Sequence, residues 1–502
     1  MTRQSRLLAI DQGTTSTRSL VFDAEGRLIA SAQREFPQYY PQAGWVDHDP
    51  EDIWRDAIET AREAIAKSDA PITAIGLANQ RETVVVWDRA TGAPIHRAIV
   101  WQDRRTASEC ERLRDEGAEA LVRARTGLLL DPYFSATKLA WILDNVSNAR
   151  QQAERGQLAF GTIDSFLLWR LTLGQVHATD ATNASRTLLF DIHRQCWDDE
   201  LLALFRIPHG LLPSVQDSSH FYGATIAELF GAPIPIAGVA GDQHAAMVGQ
   251  ACFKPGMVKS TYGTGCFALR NTGAEPASPR GGTLTTMAYR IEGVPTYASE
   301  GAIFIAGAAI KWLRDRLGLI SDAAETSEIA AKLPGNHGVY MVPAFVGLGA
   351  PHWDPHARGL LCGLTLDSSA AHIVRAALES VAYQTFDLME AMTGDGSLQA
   401  QGKSALRIDG GMAANDWFCQ FLADILDAPV ERPIMLEITA HGAAFLAGLS
   451  TGVYPNLAAI SNVWARGARF EPRMAHAERE RLIEGWRDAV RRALSSGGEA
   501  TR

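Results

Sequence analysis

A dense group of small polar residues near the start of the chain separates two apolar runs. Residues 7–23 read LLAIDQGTTSTRSLVFD, with Asp11 after the first run and Arg18 before the second. Backbone N–H groups and hydroxyls concentrated in one turn commonly bind phosphate. Asp11 could hold Mg²⁺ directly or through water, and Arg18 offers a permanent charge for a terminal phosphate. A polar hairpin whose hydroxyls satisfy their own turn explains the stretch equally well.

Two further stretches have the composition of nucleotide-binding turns. Residues 261–265 read TYGTG and lie between two apolar runs in the second half of the chain. Residues 409–415 read DGGMAAN, where paired glycines precede a helix and Asn415 could hydrogen-bond a base or a sugar. Neither stretch has the GxxxxGK[ST] pattern of a Walker loop. Two Thr/Gly turns, one opening each half, could close on a polyphosphate from opposite lobes.

Three charged residues are candidates for binding or catalysis. Arg81 and Glu82 stand between the strand-like runs AIGLAN and TVVVWD, so a donor and an acceptor share one loop. A surface ion pair in a hairpin is the plainer explanation of that pair. Asp242 follows the apolar run IPIAGVAG and begins a helical pattern, where it could serve as N-cap. We favour a general base, because carboxylates at strand ends facing a cleft commonly carry the chemistry of α/β proteins.

Strand and helix patterns alternate along the chain, which predicts an α/β fold. The segment HDPEDIWRDAIETAREAIAK predicts a helix capped by Asp49 with Pro50 at its first position. Because the second half repeats the strand, Thr/Gly turn, strand opening of the first, we expect a duplicated unit and a cleft. The predicted parts are domain 1–253, domain 254–494, tail 495–502, strands 7–10 and 19–22, and helices 300–317, 372–392 and 476–494.

Composition excludes several classes of protein. At 502 residues the chain exceeds the ~250–300 residues at which single cores stop growing. A net charge of −10 argues against a duplex nucleic-acid binder, and six scattered cysteines without CxxC spacing argue against a zinc knuckle or disulfide framework. With no signal-peptide or membrane-spanning run, we expect a soluble cytoplasmic protein. The loop HWDPHARG alternates possible metal ligands, but a proline-broken loop does not aim them at one point.

Taken together, these stretches resemble the FGGY carbohydrate kinases of the actin-like ATPase superfamily, and among them the members that phosphorylate glycerol. The resemblance implies two ribonuclease H-like domains with an interdomain cleft, and ATP-dependent, Mg²⁺-assisted conversion of glycerol to sn-glycerol 3-phosphate. It covers nearly the whole chain, through DQGTTSTR, GWVDHDPEDIW, NQRETVVVWD, VWQDRRT, LDPYFSATKLAWIL, GTIDSFLLWRLT, TNASRTLLFDI, AGDQHAA, STYGTGCF, PAFVGLGAPHWDP and DGGMAAND.

The resemblance also implies which residues act. Asp242 is then the base that deprotonates the attacking hydroxyl, and it shares the role of magnesium ligand with Asp11. The polyol contacts implied are Arg81, Glu82, Trp101, Tyr133, Asp242, Gln243 and Phe267. The nucleotide contacts implied are Thr14, Thr15, Ser16, Arg18, Thr264, Gly307, Lys311, Gly411 and Asn415.

Some positions depart from the family pattern. Lys311 replaces a common glutamine, which bears on nucleotide affinity or preference. Pro233 stands where some members carry the arginine needed for inhibition by a sugar bisphosphate, so we expect no such inhibition. His220, in SSHFYG, is similar to a histidine that some relatives phosphorylate, but it lies too far ahead of the GDQ motif. We interpret it as a surface histidine.

Two rival functions stay open at this point. One is an FGGY kinase for another polyol or a ketose, whose bulkier substrate should lack walls such as Trp101 and Phe267. The other is a nucleotide-binding regulatory protein that has lost turnover. The presence together of five charged candidates argues against it: Asp11, Arg18, Arg81, Glu82 and Asp242. From the family we also expect a homodimer or homotetramer that binds glycerol and ATP.

Overall fold

The computed structural model describes residues 5–277, 281–393 and 405–495. Two short 3₁₀ helices span His209–Leu211 and Gly411–Ala414. The strands are β1 (Arg6–Gln12), β2 (Ser16–Asp23), β3 (Leu28–Glu35), β4 (Asp47–His48), β5 (Ile72–Asn79), β6 (Val85–Asp88), β7 (Ala98–Ile99), β8 (Leu158–Gly161), β9 (Ala178–Asp180), β10 (Phe190–Asp191), β11 (Cys196–Trp197), β12 (Ser214–Gln216), β13 (Ser219–Ala224), β14 (Pro235–Gly241), β15 (Val258–Tyr262), β16 (Cys266–Gly273), β17 (Leu284–Ile291), β18 (Val294–Ile303), β19 (Tyr340–Val342), β20 (Leu360–Cys362), β21 (Leu406–Asp409), β22 (Val430–Pro433) and β23 (Arg466–Phe470).

The helices pack on both faces of the two large sheets. They are α1 (Pro50–Ala66), α2 (Ala107–Asp115), α3 (Glu119–Thr126), α4 (Ser135–Asn145), α5 (Ala149–Glu154), α6 (Ile163–Leu171), α7 (Ala181–Ala184), α8 (Asp199–Phe205), α9 (Ala227–Phe230), α10 (Asp242–Gly249), α11 (Gly307–Asp315), α12 (Glu325–Ala331), α13 (Ala370–Thr393), α14 (Asp416–Leu426), α15 (Ile438–Ser450), α16 (Leu457–Val463) and α17 (His476–Ala493). Among the described residues, no helix is long and apolar enough to span a bilayer.

The two large sheets have the same core topology. The first has the order β3-β2-β1-β5-β14-β13, in which β1, β5 and β14 run parallel and the other pairs are antiparallel. The second has the order β17-β18-β16-β15-β21-β22-β23, with β15, β21 and β22 parallel. Apart from the extra edge strand β17, each strand of one sheet has a counterpart in the other. This is the duplicated α/β unit expected from the sequence, and it forms two ribonuclease H-like halves.

The halves share part of their core. Helix α15 belongs to the second half of the sequence, yet it packs against β1, β5 and β14 of the first sheet and against α10. Leu7 and Ala9 of β1 lie in one buried apolar cluster with Ala443 and Phe445 of α15. The lobes are therefore joined by packed helices beneath the cleft. The domain border at residues 253 and 254 stays a prediction.

Most of the predicted elements are confirmed, and one is wrong. The β1–β2 hairpin forms, and the Asp49 side chain caps α1 by accepting a hydrogen bond from the Glu51 N–H at 3.0 Å. A helix over 300–317 is not found: residues 300–303 complete β18, which pairs with β16, and α11 begins only at Gly307. The apolar run there fits either element, and sheet pairing decides between them. Of the predicted tail, Ser495 hydrogen-bonds Asp354, while 496–502 lie outside the described residues.

Candidate active site

Three parallel strands of the first sheet end at the same level. Gln12 of β1 pairs with Asn79 of β5, and Gly241 of β14 pairs with the same Asn79. The residues at these strand ends must therefore lie along one edge of the sheet. This register brings the loop that carries Arg81 next to Asp242: the Arg81 Nε atom lies 3.3 Å from the Asp242 Oδ1 atom.

Four buried charged side chains form what we term the polar cluster: Arg81, Glu82, Arg186 and Glu300. At most 3% of any of these residues is exposed. Arg81 Nη1 donates to Glu300 at 2.8 Å, and Arg186 Nε donates to Glu82 at 2.6 Å. Arg186 Nη2 also donates to Glu300, at 3.2 Å. With two guanidinium groups and two carboxylates, the cluster is neutral as a whole.

Burial and ion pairing act on these charges in opposite directions. Burial opposes ionisation of Glu300, but the guanidinium groups of Arg186 and Arg81 hold its pKa below its ordinary value. Glu82 also has strained backbone, with φ of 59°, a region that non-glycine residues rarely adopt. Such strain is concentrated at functional sites, because the surrounding structure must be organised to hold it.

Asp242 is the first residue of α10, and it lies beside the polar cluster with part of its side chain exposed. Its side chain is 28% exposed, and its Oδ1 accepts the Gln243 N–H at 2.6 Å. The residue before it must be glycine, because a Cβ at Gly241 would lie 2.6 Å from the Arg81 side chain. Asp242 therefore presents a carboxylate to the cleft while Arg81 passes beneath it.

Aromatic side chains surround the space next to Asp242. The Trp101 ring lies 5.5 Å from the Tyr133 ring and 6.2 Å from the Phe267 ring, between centroids, with nearly perpendicular planes. The Trp101 indole N–H donates to Thr14 Oγ1 at 2.9 Å, and the Arg81 guanidinium donates to the Tyr133 hydroxyl at 3.3 Å. Since Phe267 belongs to the second sheet, this aromatic wall is made by both lobes.

Lys259, on β15, connects the second lobe to Gln243. Its Nζ atom donates to the Gln243 side-chain oxygen and to Thr261 Oγ1, the latter at 3.0 Å. Burial lowers the pKa of this lysine, and the carboxylates of Asp409 and Asp242 oppose that effect. Gln243 is thus held from the lobe that carries the second Thr/Gly turn.

The first Thr/Gly turn lies at the edge of the first sheet, with Asp11 and Arg18 directly opposite each other on β1 and β2. Burial away from water raises the pKa of Asp11 to about 7; the charge of Arg18 opposes this shift and the charge of Asp242 reinforces it. Arg18 pairs with Glu437 at 2.6 Å. Thr15 is exposed, whereas the Ser16 hydroxyl accepts a hydrogen bond from the Gln33 amide at 3.2 Å. Asp11 on β1 and Asp242, which follows β14, lie at the same edge of the first sheet.

A cavity of about 720 Å³ opens on the second lobe, and we term it the large cavity. Its walls come from the second Thr/Gly turn, the start of α11, part of α12 and the DGGMAAN stretch. The walls include Thr264, Gly307, Lys311, Gly411 and Asn415, which are the predicted nucleotide contacts of the second half. The predicted contacts of the first half lie elsewhere, in the β1–β2 turn and on β2, and do not line this cavity: Thr14, Thr15, Ser16 and Arg18.

Close backbone approach shapes the floor of the large cavity. Gly410 has φ of 87°, and a Cβ there would lie 2.5 Å from the Tyr262 carbonyl oxygen. The Asn415 amide is already engaged: its oxygen caps α14 through the Phe418 N–H at 3.0 Å, and its nitrogen donates to Thr326 at 3.1 Å. The glycine at 410 therefore allows the DGGMAAN stretch to touch the second Thr/Gly turn, while Asn415 forms structural hydrogen bonds at the cavity wall.

Three buried charges of the site were not singled out from the sequence. Each is the one charged residue of its stretch: Arg186 in 181–190, Lys259 in 255–269 and Glu300 in 293–310. An isolated charge in an apolar run was the available signal, since such a charge is rarely buried without a partner.

The alternating residues of HWDPHARG do not form a metal site. Asp354 caps its own loop by accepting the N–H groups of His356 and Ala357, and His352 lies 3.9 Å from Asp387. Within the described ranges, no group of three or more His, Cys, Asp or Glu side chains could hold a metal ion.

Family models and known proteins match this chain over nearly its whole length. Residues 6–249 match the N-terminal domain of the FGGY family of carbohydrate kinases, and residues 258–451 match its C-terminal domain. A glycerol kinase of Gluconobacter oxydans is 61% identical over 99% of this chain and 96% of its own length. A glycerol kinase of Rhodospirillum centenum is also 61% identical, over 97% of this chain and 98% of its own length.

Solved structures agree with these matches. The crystal structure of Plasmodium falciparum glycerol kinase with ADP has a TM-score of 0.92 and 36% identity, and it covers 98% of this chain and 99% of its own. A gluconate kinase from Lactobacillus acidophilus, at 21% identity and a TM-score of 0.87 over 99% of both chains, shares the fold. The chain belongs to the FGGY family of carbohydrate kinases, in the branch formed by the glycerol kinases.

Proposed function

We propose that this protein transfers the γ-phosphoryl group of ATP to a terminal hydroxyl of glycerol, giving sn-glycerol 3-phosphate. The observation that carries the proposal is identity near 60% with glycerol kinases over nearly the whole chain. The geometry supports it, because the partly exposed carboxylate of Asp242 lies beside Arg81 and the polar cluster.

The polyol side is suited to a three-carbon substrate. Arg81, Glu82, Tyr133 and Gln243 would receive the hydroxyls, and Trp101 and Phe267 would pack on the carbon skeleton. A glycerol molecule has three hydroxyls and little apolar surface, so it needs several fixed polar partners in a small space. Hydrogen bonds that the protein makes to these side chains, such as those from Arg186 to Glu82 and from Lys259 to Gln243, supply that fixed arrangement before the substrate arrives.

The nucleotide side would hold ATP between the lobes. The base and ribose would occupy the large cavity against Gly411 and Lys311, and the phosphates would extend toward the two Thr/Gly turns. Arg18 would exchange its partner Glu437 for the γ-phosphate, a stronger bidentate acceptor. Backbone N–H groups at both turns would then receive the negative charge that develops in the transition state.

Asp242 would act as general base. Its carboxylate would accept the proton of the attacking hydroxyl as the oxygen approaches phosphorus in line, which is the role of a catalytic aspartate in other phosphoryl transfers. Closure of the lobes around both substrates would exclude water and so prevent hydrolysis of ATP.

Asp11 and Asp242 are the residues that would hold Mg²⁺, and their chemistry fits that ion. Two carboxylates together with phosphate oxygens form a typical magnesium site. The raised pKa of Asp11 indicates a carboxylate whose negative charge is poorly compensated by the protein alone. The ion would supply charge neutralisation at the phosphates.

The test is an ADP-release assay that compares glycerol with dihydroxyacetone, erythritol, xylulose and gluconate. We expect the highest kcat/KM for glycerol. A clear preference for xylulose or gluconate would assign the protein to another FGGY activity, and the absence of turnover with every alcohol would favour a regulatory role.

The role of Asp242 as general base is tested by the variant Asp242→Asn, which keeps the shape of the side chain. Loss of the base should lower kcat by roughly 10²–10⁴-fold, while calorimetry should still detect glycerol binding. Full activity of Asp242→Asn would remove the base assignment without affecting the choice of substrate.

A further inference from the structure

One member of the polar cluster comes from the opposite lobe. Arg81, Glu82 and Arg186 belong to the first half of the chain, whereas Glu300 lies on β18 of the second sheet. In that sheet Glu300 pairs with Leu269, two residues from Phe267 on the same strand β16. Paired and alternate residues share one face of a sheet, so Glu300 and Phe267 project together toward the first lobe.

Both carboxylate oxygens of Glu300 are engaged with the first lobe. Its Oε2 atom lies 2.8 Å from Arg81 Nη1 and 3.1 Å from Arg186 Nη1, and its Oε1 accepts from Arg186 Nη2 at 3.2 Å. The side chain is 1% exposed. Glu300 therefore bridges two guanidinium groups across the boundary between lobes, out of contact with water.

This bridge fixes the plane of the Arg81 guanidinium. The three nitrogens of Arg81 are directed to three different groups: Nη1 to Glu300, Nη2 to the Tyr133 hydroxyl and Nε to Asp242. The Phe267 ring from the second lobe lies 5.8 Å below the guanidinium carbon. Two contacts from the second lobe thus determine how Arg81 faces the space beside Asp242.

We propose that Glu300 is a positioning residue for the alcohol substrate, which makes the shape of the polyol pocket depend on the approach of the second lobe. The proposal rests on the proposed function, since it deepens the same site. Arg81 and Glu82 would have their binding geometry only when Glu300 is seated between the two arginines. Glycerol binding would in turn favour the closed arrangement, in which the phosphate turns of both lobes face Asp242.

Stability alone does not account for this arrangement. Buried ion pairs contribute little net stability, because desolvation offsets most of the attraction, and apolar replacements are often equally stable. The Glu300 carboxylate, which spans the two lobes, selects one rotation of the Arg81 guanidinium plane. An apolar contact could not impose that orientation.

The test replaces Glu300 by an uncharged side chain of the same size. In Glu300→Gln, the KM for glycerol should rise by roughly tenfold or more, the effect of losing a hydrogen bond to a charged group. The KM for ATP should change by less than about twofold, because Arg81 is not among the proposed nucleotide contacts. A defect of folding alone would lower the active fraction, and hence kcat, but would leave the KM for glycerol unchanged.

The matched control is Glu379→Gln on α13. Glu379 is likewise buried in the second half and pairs with an arginine, Arg375, at 2.7 Å, but it has no contact with the polar cluster. We expect its KM for glycerol to equal that of the wild type. Equal glycerol KM values in Glu300→Gln, Glu379→Gln and the wild type would overturn the proposal.

A second variant covers the case in which Glu300→Gln fails to fold. The double variant Arg186→Gln, Glu300→Gln removes one charge of each sign and leaves Arg81 and Glu82 as a pair, 4.0 Å apart in the wild type. It should fold and still show a raised glycerol KM; a wild-type KM in this variant would also overturn the proposal. If the wild-type protein phosphorylated other alcohols but not glycerol, the proposed function would be wrong, and with it the role of Glu300 in positioning glycerol.

Discussion

The polar cluster and the large cavity, which belong to the two proposed substrate sites, are built from different groups. In the polar cluster every functional atom belongs to a side chain, each side chain is charged, and each is hydrogen-bonded to another within a space closed to water. The large cavity is about 720 Å³ in volume, and much of its wall consists of glycine, alanine and backbone, with Lys311 and Arg314 at the rim.

The difference follows from the size of the two proposed substrates. A small polyol offers only a few hydroxyls, so its pocket must be rigid and specific before binding occurs. A nucleotide offers a large ring system, so a preformed hollow with accessible backbone groups can bind its base and ribose without dedicated charged side chains. We therefore expect substitutions in the cluster to affect folding and alcohol recognition, and substitutions at the cavity wall to affect the nucleotide.

The largest effect should follow from breaking the polar cluster. In Arg186→Met, Glu82 and Glu300 lose a buried guanidinium, which should lower the free energy of unfolding by about 3–5 kcal/mol. Urea denaturation measures this change. The control is Arg34→Met, which removes an arginine from the exposed pair with Glu59 and should cost little. Similar losses in the two variants would contradict the distinction between buried and exposed pairs.

Neighbouring glycines of the large cavity should separate folding from nucleotide binding. Gly410→Ala forces a positive φ and a contact with Tyr262, so it should lower the free energy of unfolding by roughly 1–3 kcal/mol. A Cβ at Gly411 would meet no protein atom within 4 Å. Gly411→Ala should therefore unfold like the wild type but raise the KM for ATP.

Thermal denaturation and ATP titration of both glycine variants check this separation. A stable Gly410→Ala protein, or a Gly411→Ala protein with the wild-type KM for ATP, would show that the cavity wall tolerates side chains where we expect backbone contact.

The buried Lys138, near the polar cluster, should make the free energy of unfolding depend on pH. It donates to the carbonyl of Tyr133 at 2.6 Å, and burial lowers its pKa from 10.5 to about 7, although Glu82 opposes the shift. Between these two pH values the unfolded chain keeps a proton that the folded protein has released, so rising pH stabilises the folded state across this window.

The variant Lys138→Met lacks this titration. The difference in free energy of unfolding, wild type minus variant, should grow by about 2 kcal/mol between pH 7 and pH 9. Urea denaturation at the two pH values gives the difference, and a constant value would mean that the lysine stays protonated in the folded protein.

The smallest effect should come from the rim of the large cavity. Lys311 is exposed on α11, so its attraction for phosphate is screened by water. Lys311→Gln should weaken ATP binding by less than about 1 kcal/mol, and by less still at high salt. Calorimetry at two salt concentrations measures this, and a loss comparable to that of Gly411→Ala would assign Lys311 a direct, desolvated contact.

Local features of the fold were readable from the sequence because the deciding interactions are local. The Asp49 cap, Pro50 at the helix start and the alternation of strand and helix depend on neighbouring residues. The resemblance paired Asp11 with Asp242, and the register of β1, β5 and β14 puts both at one edge of the first sheet. The helix expected at 300–317 was wrong because a short apolar run has no period of its own, and its first residues pair with β16.

The sequence by itself determined the family, the two repeated α/β units and the candidate residues, since these depend on motifs and on short-range pattern. Only the tertiary structure decided that Glu300 and Lys259 reach across the cleft, that Arg186 closes the polar cluster, and that Ser16 and Asn415 already have partners. Such contacts join residues far apart in the chain. Their energy depends on burial and distance in three dimensions, and neither quantity is encoded at any single position.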